Sequence, residues 1–101
     1  MTHLLRTAIV TLFVFAAPLT LAADPAAGKA KSMTCAACHG TNGISPNDMW
    51  PNLAGQKNGY VVSHLRMFRD GERVNPVMTP MSTGLSDSDI ADLAAYYSSL
   101  K

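Results

Sequence analysis

The sequence predicts an all-α chain of three main helices and two long irregular loops. Three observations carry that reading. Apolar residues recur at helical spacing in two segments, each helix has residues suited to starting or ending it, and neither strand alternation nor an internal repeat runs through the chain. At 48% hydrophobic and 15% charged, the 101 residues are no disordered tail, and with 7 glycines and 6 prolines they are no collagen-like or linker sequence. The 8 basic against 7 acidic side chains give +1, which argues against a protein built to coat nucleic acid. Two cysteines cannot make the multi-bridge framework of many small secreted domains, so something else must complete the core.

The first 23 residues read as a targeting segment. Arg6 precedes an uncharged apolar run from Ala8 to Ala17, Pro18 breaks it, and Thr20-Leu21-Ala22-Ala23 supplies the small residues a signal peptidase needs. This predicts a Sec-type signal peptide, cleaved after Ala22 or Ala23, and export to the periplasm. The alternative is an uncleaved membrane anchor, but the run is shorter than the ~20 residues a bilayer requires. Cleavage after Ala23 leaves one domain, residues 24–101, with equal numbers of basic and acidic side chains. At that size an apolar core alone rarely supplies more than ~3–5 kcal/mol.

The first helix should start at Asp24, an N-cap, with Pro25 at the first helical position, and end at Gly40 after His39. Gly28 inside it costs ~1 kcal/mol relative to alanine, which hints at close approach by another element. From Thr41 to Gln56 the chain is rich in Asn, Gly and Pro and loses any period. A loop that long usually has a function or wraps something. A second helix is predicted over about Asn58 to Asp70, with Val61, Leu65 and Phe68 as its buried stripe and Gly71 as its stop. Glu72 to Gly84 reads as irregular. The last helix has Ser86 as N-cap, Asp89 as a capping-box partner and Leu85 with Ile90 as a hydrophobic staple. Its apolar face is Ile90, Leu93, Ala94, Tyr97 and Leu100.

Cys35-Ala36-Ala37-Cys38-His39 is a C-x-x-C-H haem-attachment signature. On a helix the three reactive side chains stand at i, i+3 and i+4 on one face, so two thioether links hold a porphyrin while the imidazole rises to the iron. Competing readings are a structural disulfide, a thioredoxin-like pair, for which the βαβ context is missing, and a zinc site, for which the rest of the residues 24–101 offers only His64 as a further histidine or cysteine.

With these residues the chain resembles the class I c-type cytochromes, particularly the small bacterial cytochrome c553/c5 type and single domains of cytochrome c4. The resemblance rests on Gly28, on Cys35-Ala36-Ala37-Cys38-His39-Gly40, on Pro51-Asn52-Leu53-Ala54-Gly55-Gln56, and on Tyr60, Leu65 and Phe68 ahead of Gly71. It continues through Met78 before Leu85-Ser86-Asp87 and ends at Ala95-Tyr96-Tyr97. It implies a small cytochrome c fold, with loops wrapped around one covalently bound haem c. Cys35 and Cys38 would carry the thioethers and His39 would ligate the iron. The second axial ligand in that family is a methionine before the last helix: Met78, seven residues ahead of Leu85, matches the family spacing better than Met81, and core filling is the plainer reading of either. Met33, Met49 and Met67 are assigned to packing, and His64 to an ordinary histidine rather than a ligand.

The same resemblance implies that the Pro51 carbonyl accepts from the axial histidine's Nδ1–H, which fixes the ring and raises its basicity. It makes Leu53, Tyr60, Leu65, Phe68 and Ile44 candidates for the haem wall and sets Trp50 and Asn75 near the propionates, with ordinary core packing the alternative for each, and it pairs Gly28 with Tyr96, although Tyr97 fits the apolar stripe better. The expected function is a one-electron carrier rather than an enzyme, a monomer without stable membrane insertion. Its partners would be redox proteins such as a respiratory dehydrogenase, reductase or terminal oxidase. A haem enzyme or gas sensor with a labile sixth ligand, and a subunit of a larger complex, are the rival classes. Lys57, Arg66, Arg69 and Arg73 form a possible docking patch, though solvated helix charges are the plainer reading.

Overall fold

The structure is a computed structural model that describes residues 5, 7–16 and 22–101. Residues 1–4, 6 and 17–21 of the expected leader lie outside the described residues. Of the rest of that leader, Ile9, Leu12, Phe13 and Phe15 are exposed and take no part in the core. No helix among the described residues is long and apolar enough to cross a membrane.

The described residues are helical, without strands. Helix α1 spans Pro25–Lys31, and the Asp24 side chain accepts the Ala26 N–H at 2.9 Å. The single helix expected up to His39 is broken. Ser32 Oγ donates to the Lys29 carbonyl at 2.7 Å, a local bond that competes with the α ladder. The Cys35 N–H then reaches Ser32 O at 2.9 Å, three residues back, and the chain tightens into a 3₁₀ turn over Ser32–Thr34. A short helix, α2, follows at Ala36–His39. Gly40 closes it at φ 84°, where a Cβ would lie 1.9 Å from the Ile44 carbonyl oxygen, so glycine is required twice over.

Helix α3 runs Asn58–Asp70 as the pattern predicts, ended by Gly71 in the left-handed conformation, with Val61 and Phe68 buried and Leu65 half-buried. The segment expected to be irregular contains helix α4, Met78–Ser82. Asn75 starts it: its Oδ1 accepts the N–H groups of Val77 and Met78, both at 2.9 Å, while Thr79 Oγ1 accepts the Asn75 N–H. Pro80 falls in the first turn, where its missing N–H leaves nothing unsatisfied. Helix α5, Asp87–Ser99, has the full capping box of Ser86 and Asp89.

The frame is the crossing of α1 and α5. A Cβ on Gly28 would lie 2.0 Å from the Asp92 carbonyl oxygen and 2.8 Å from Tyr96 Cβ, so only glycine permits the approach. A polar clasp closes the seam. Lys31 Nζ sits 2.6 Å from Asp89 Oδ1 and 3.1 Å from Asp92 Oδ2, and the Asp24 N–H donates to Asp92 Oδ1 at 2.8 Å. Leu93, Tyr96 and Tyr97 form the core cluster, with Cys35, Leu53, Leu65, Leu85 and Leu100 against it. Met33 and Met49, expected to pack, are instead 73% and 82% exposed, because the helix break and the loop carry them outward.

Two outcomes test this frame. Gly28→Ala pushes a methyl into backbone that no rotamer change relieves, so a loss at or beyond about 3 kcal/mol is expected in the denaturant midpoint of the holoprotein. The Lys31 ammonium holds the Asp89 carboxyl below its ordinary range, and the Asp24 N–H, ahead of Lys31, does so for Asp92. Carboxyls depressed in the folded state add stability above their unfolded pKa of about 3.9 and lose it as pH falls through the folded values. In Lys31→Gln, the fall of stability below about pH 4, measured by urea unfolding across pH, is therefore expected to flatten.

Candidate haem site

The 3₁₀ turn sets Cys35 against the core, and the helical turn after it carries Cys38 and His39, whose N–H donates to Cys35 O at 2.9 Å. Both cysteines are free thiols, which gives no support to the disulfide reading. Among the described residues no three His, Cys, Asp or Glu side chains gather to hold a metal by themselves, so the zinc reading gains none either.

His39 is buried, and its Nδ1 lies 2.7 Å from the carbonyl oxygen of Pro51. A carbonyl only accepts, so Nδ1 carries the proton and Nε2 keeps the lone pair that a metal needs. The loop that delivers Pro51 is tied back on itself: the N–H groups of Leu53 and Ala54 donate to Gly43 O, and that of Gly55 to Tyr97 O on α5.

These residues open on a cavity of about 590 Å³. Cys35, Cys38, His39 and Pro51 line it from one set of elements, and Leu53, Tyr60, Leu65 and Phe68 from the loop and α3. Met78 and Met81 both line it from α4, Trp50 from the loop and Asn75 from the stretch just ahead of α4. Ile44, offered as a wall residue, does not line it and is 47% exposed. The sequence missed Ser82, Val61, Leu93 and Tyr97, which also line it. Val61 and Leu93 were read only as core, and Ser82 carries no signal of its own.

His64 also lines the cavity, stacked on Tyr60 with ring centroids 3.9 Å apart. Its Nδ1 lies 2.8 Å from Arg73 Nη1, and since a guanidinium only donates, Nδ1 accepts and the ring proton sits on Nε2. That tautomer leaves His64 no free lone pair for a metal. Three of the four residues of the basic patch, all but Lys57, are engaged within the fold. Arg69 pairs with Asp70 and Asp87, and Arg66 lies 3.7 Å from Asp87. The Arg73 guanidinium rests over the Phe68 ring at 4.5 Å.

The residues present fit a haem. The cavity is walled largely by apolar side chains with two thiols and one imidazole nitrogen available to it. Two buried hydroxyls on its lining residues, Ser82 Oγ and Tyr97 Oη, have no hydrogen-bond partner among protein atoms. Burial pushes the Tyr97 phenol up, so it stays protonated.

A helical chain whose C-x-x-C-H turn faces such a cavity is a c-type haem protein. The chain belongs to the cytochrome c family: the family model described as cytochrome c matches residues 25–101. It is 53% identical over 81 residues to cytochrome c-554(548) of Halomonas halodenitrificans, covering 77% of this chain and 98% of that protein. It is 48% identical over 80 residues to cytochrome c4 of Pseudomonas aeruginosa, covering 79% of this chain and 40% of that one. A thiosulfate dehydrogenase electron acceptor of Thiomonas intermedia is 39% identical over 102 residues, with 45% of its length covered. Among solved structures, reduced recombinant cytochrome c4 from Pseudomonas stutzeri superposes with a TM-score of 0.75 at 40% identity, over 79% of this chain and 47% of that one. The chain thus spans nearly all of the first relative and less than half of the others. It has the all-α cytochrome c fold and is an electron-transfer haem protein, a carrier and not an enzyme. Its cofactor is covalently bound haem c with iron, and Cys35 and Cys38 fit the attachment motif.

If the haem completes the core, a Cys35→Ala, Cys38→Ala chain that retains no haem is expected to be largely unfolded. Far-ultraviolet circular dichroism of that variant checks it, and native-like helicity would show that the polypeptide needs no filler.

Proposed function

We propose that the chain is a periplasmic monohaem electron carrier with Cys35 and Cys38 as the thioether anchors and His39 and Met78 as the axial ligands. When bound, the haem iron supplies the one-electron Fe(III)/Fe(II) couple. The observation that carries the reading is the His39 Nδ1 to Pro51 carbonyl bond of 2.7 Å beside two cavity-lining methionines. The bond holds Nε2 as the basic nitrogen and fixes the plane of the ring. With His39 and Met78 both holding the iron, no coordination site would remain for a substrate. That arrangement suits a carrier that must keep one geometry in two oxidation states, and histidine with methionine raises the potential.

Three facts favour Met78 over Met81. Met78 opens α4, its N–H is held by Asn75 Oδ1 at 2.9 Å, and its side chain is half-buried, whereas Met81 is 47% exposed. Pro51, Leu53, Tyr60, Leu65 and Phe68 serve as the haem wall and exclude water. The partners are redox proteins that dock transiently; the similarity to a thiosulfate dehydrogenase electron acceptor supports an oxidising dehydrogenase as donor. Export rests on the leader of residues 1–23.

Haem that survives acid–organic extraction of the purified protein is expected, and its complete loss would end the proposal. In the oxidised protein a sulfur-to-iron charge-transfer band is expected; Met78→Ala should abolish it and lower the reduction potential, while Met81→Ala should keep both. The reverse result reassigns the ligand to Met81.

A further inference from the structure

The segment ahead of α1 makes a contact that the haem site does not use. Asp92, 8% exposed, accepts the backbone N–H of Asp24 on one oxygen at 2.8 Å and Lys31 Nζ on the other at 3.1 Å. Asp89 takes the same Lys31 ammonium at 2.6 Å. Two carboxylates therefore share one cation, and the Asp24 carboxylate nearby is spent on the Ala26 N–H. The nitrogen that reaches the less accessible of the two carboxylates belongs to the residue directly after Ala22-Ala23, which is exposed and without regular structure.

We propose that the Ala23–Asp24 peptide bond is the processing site, and that the α-ammonium freed there docks on Asp92 as the second cation of the clasp between α1 and α5. This rests on the reading that the chain is exported with a cleaved leader. The step is hydrolysis by a leader peptidase: water adds across the amide, Ala23 departs as a carboxylate, and the Asp24 nitrogen takes up a proton to become –NH3⁺. Before cleavage the nitrogen is a neutral amide with a single hydrogen to give. Afterwards it is a cation with three donors at the same place, and charge-assisted bonds are roughly twice as strong as neutral ones. The site then sets two cations, Lys31 and the ammonium, against the carboxylates of Asp89, Asp92 and Asp24, where before there was one cation. Cleavage after Ala22 would leave residue 24 an amide and move the charge one residue, about 3.8 Å along the chain, away from the nitrogen that touches Asp92.

The groups that face the ammonium are Asp92 and Asp89 from α5, Lys31 from α1 and its own Asp24 side chain. An amine that gains a carboxylate partner titrates above its unfolded pKa of about 7.7–8.0. Its stabilisation is fully present below that value and is lost as pH rises through the folded one.

The test uses holoprotein purified from the periplasm. Intact mass is expected to give Asp24 as the first residue. At pH 7 its amine should acylate about tenfold more slowly than that of a form secreted to begin at Ala23, the equivalent of ~1 pKa unit. Asp92→Asn should remove the difference. Since that substitution also takes a partner from Lys31, the Ala23 form, which keeps Asp92, serves as the second comparison. It should unfold at lower denaturant at pH 7, and the gap should close by about pH 10. A mature chain that begins at Ala23, or an Asp24 amine that reacts equally fast in the wild type and in Asp92→Asn, overturns the inference. A chain that keeps all 101 residues overturns the export reading itself.

Discussion

Gly28 lets the backbone of α1 rest on the backbone of α5 at a distance that no side chain allows, and the haem site is hung from that contact. With α1 held there, the chain leaving Lys31 has to pass beside Leu93 and Tyr97, and the 3₁₀ turn at Ser32–Thr34 brings Cys35 onto that cluster. The second wall is tied to the same helix, because the Gly55 N–H donates to the Tyr97 carbonyl near the end of α5. One close crossing thus sets the attachment turn and the opposing loop relative to each other, and the cavity is the space between them.

The loop from Thr41 to Gln56 meets its backbone needs without a ladder. Asn42 Oδ1 accepts from Ile44 N–H, Asn52 Oδ1 from Ser45 N–H and Asn47 Oδ1 from Met49 N–H. Its asparagines are therefore structural, each replacing a backbone partner that a helix or strand would have supplied. The return is at Pro51, whose carbonyl is left to His39. Because that carbonyl can only accept, the loop does more than cover the cavity: it selects which imidazole nitrogen stays basic.

The parts of the fold that sequence made legible are those governed by neighbours a few residues apart. Helix α5 was readable because Ser86 and Asp89 cap it locally, and α3 because its stripe and Gly71 lie within one segment. The break at Ser32 was not readable, since serine is also tolerated within helices and only the bond to the Lys29 carbonyl decides. Helix α4 was hidden by Pro80 within it and Pro76 just ahead, although Asn75 and Thr79 start it. The Lys31 clasp joins residues about sixty positions apart and leaves no periodic trace. At the site, the C-x-x-C-H turn was plain because its chemistry is packed into five residues, whereas Ile44 misled because an apolar loop residue has no face until the loop is folded.

The distribution of these contacts separates two tasks. The α1–α5 seam carries Gly28 and the charged clasp, and α5 itself supplies most of the fully buried side chains, Ile90, Leu93 and Ala94 among them. The methionine segment is held differently: α4 packs on α3 and is started by Asn75, away from the α1–α5 crossing. Changes in α4 can therefore alter that side of the cavity while the crossing keeps the attachment turn and Pro51 in register. For a carrier whose working quantity is a potential, that separation lets the lining of the cofactor's cavity vary without putting the frame at risk. It also explains why a chain this small commits its few tight contacts to one seam and leaves the rest of its interior to a cofactor.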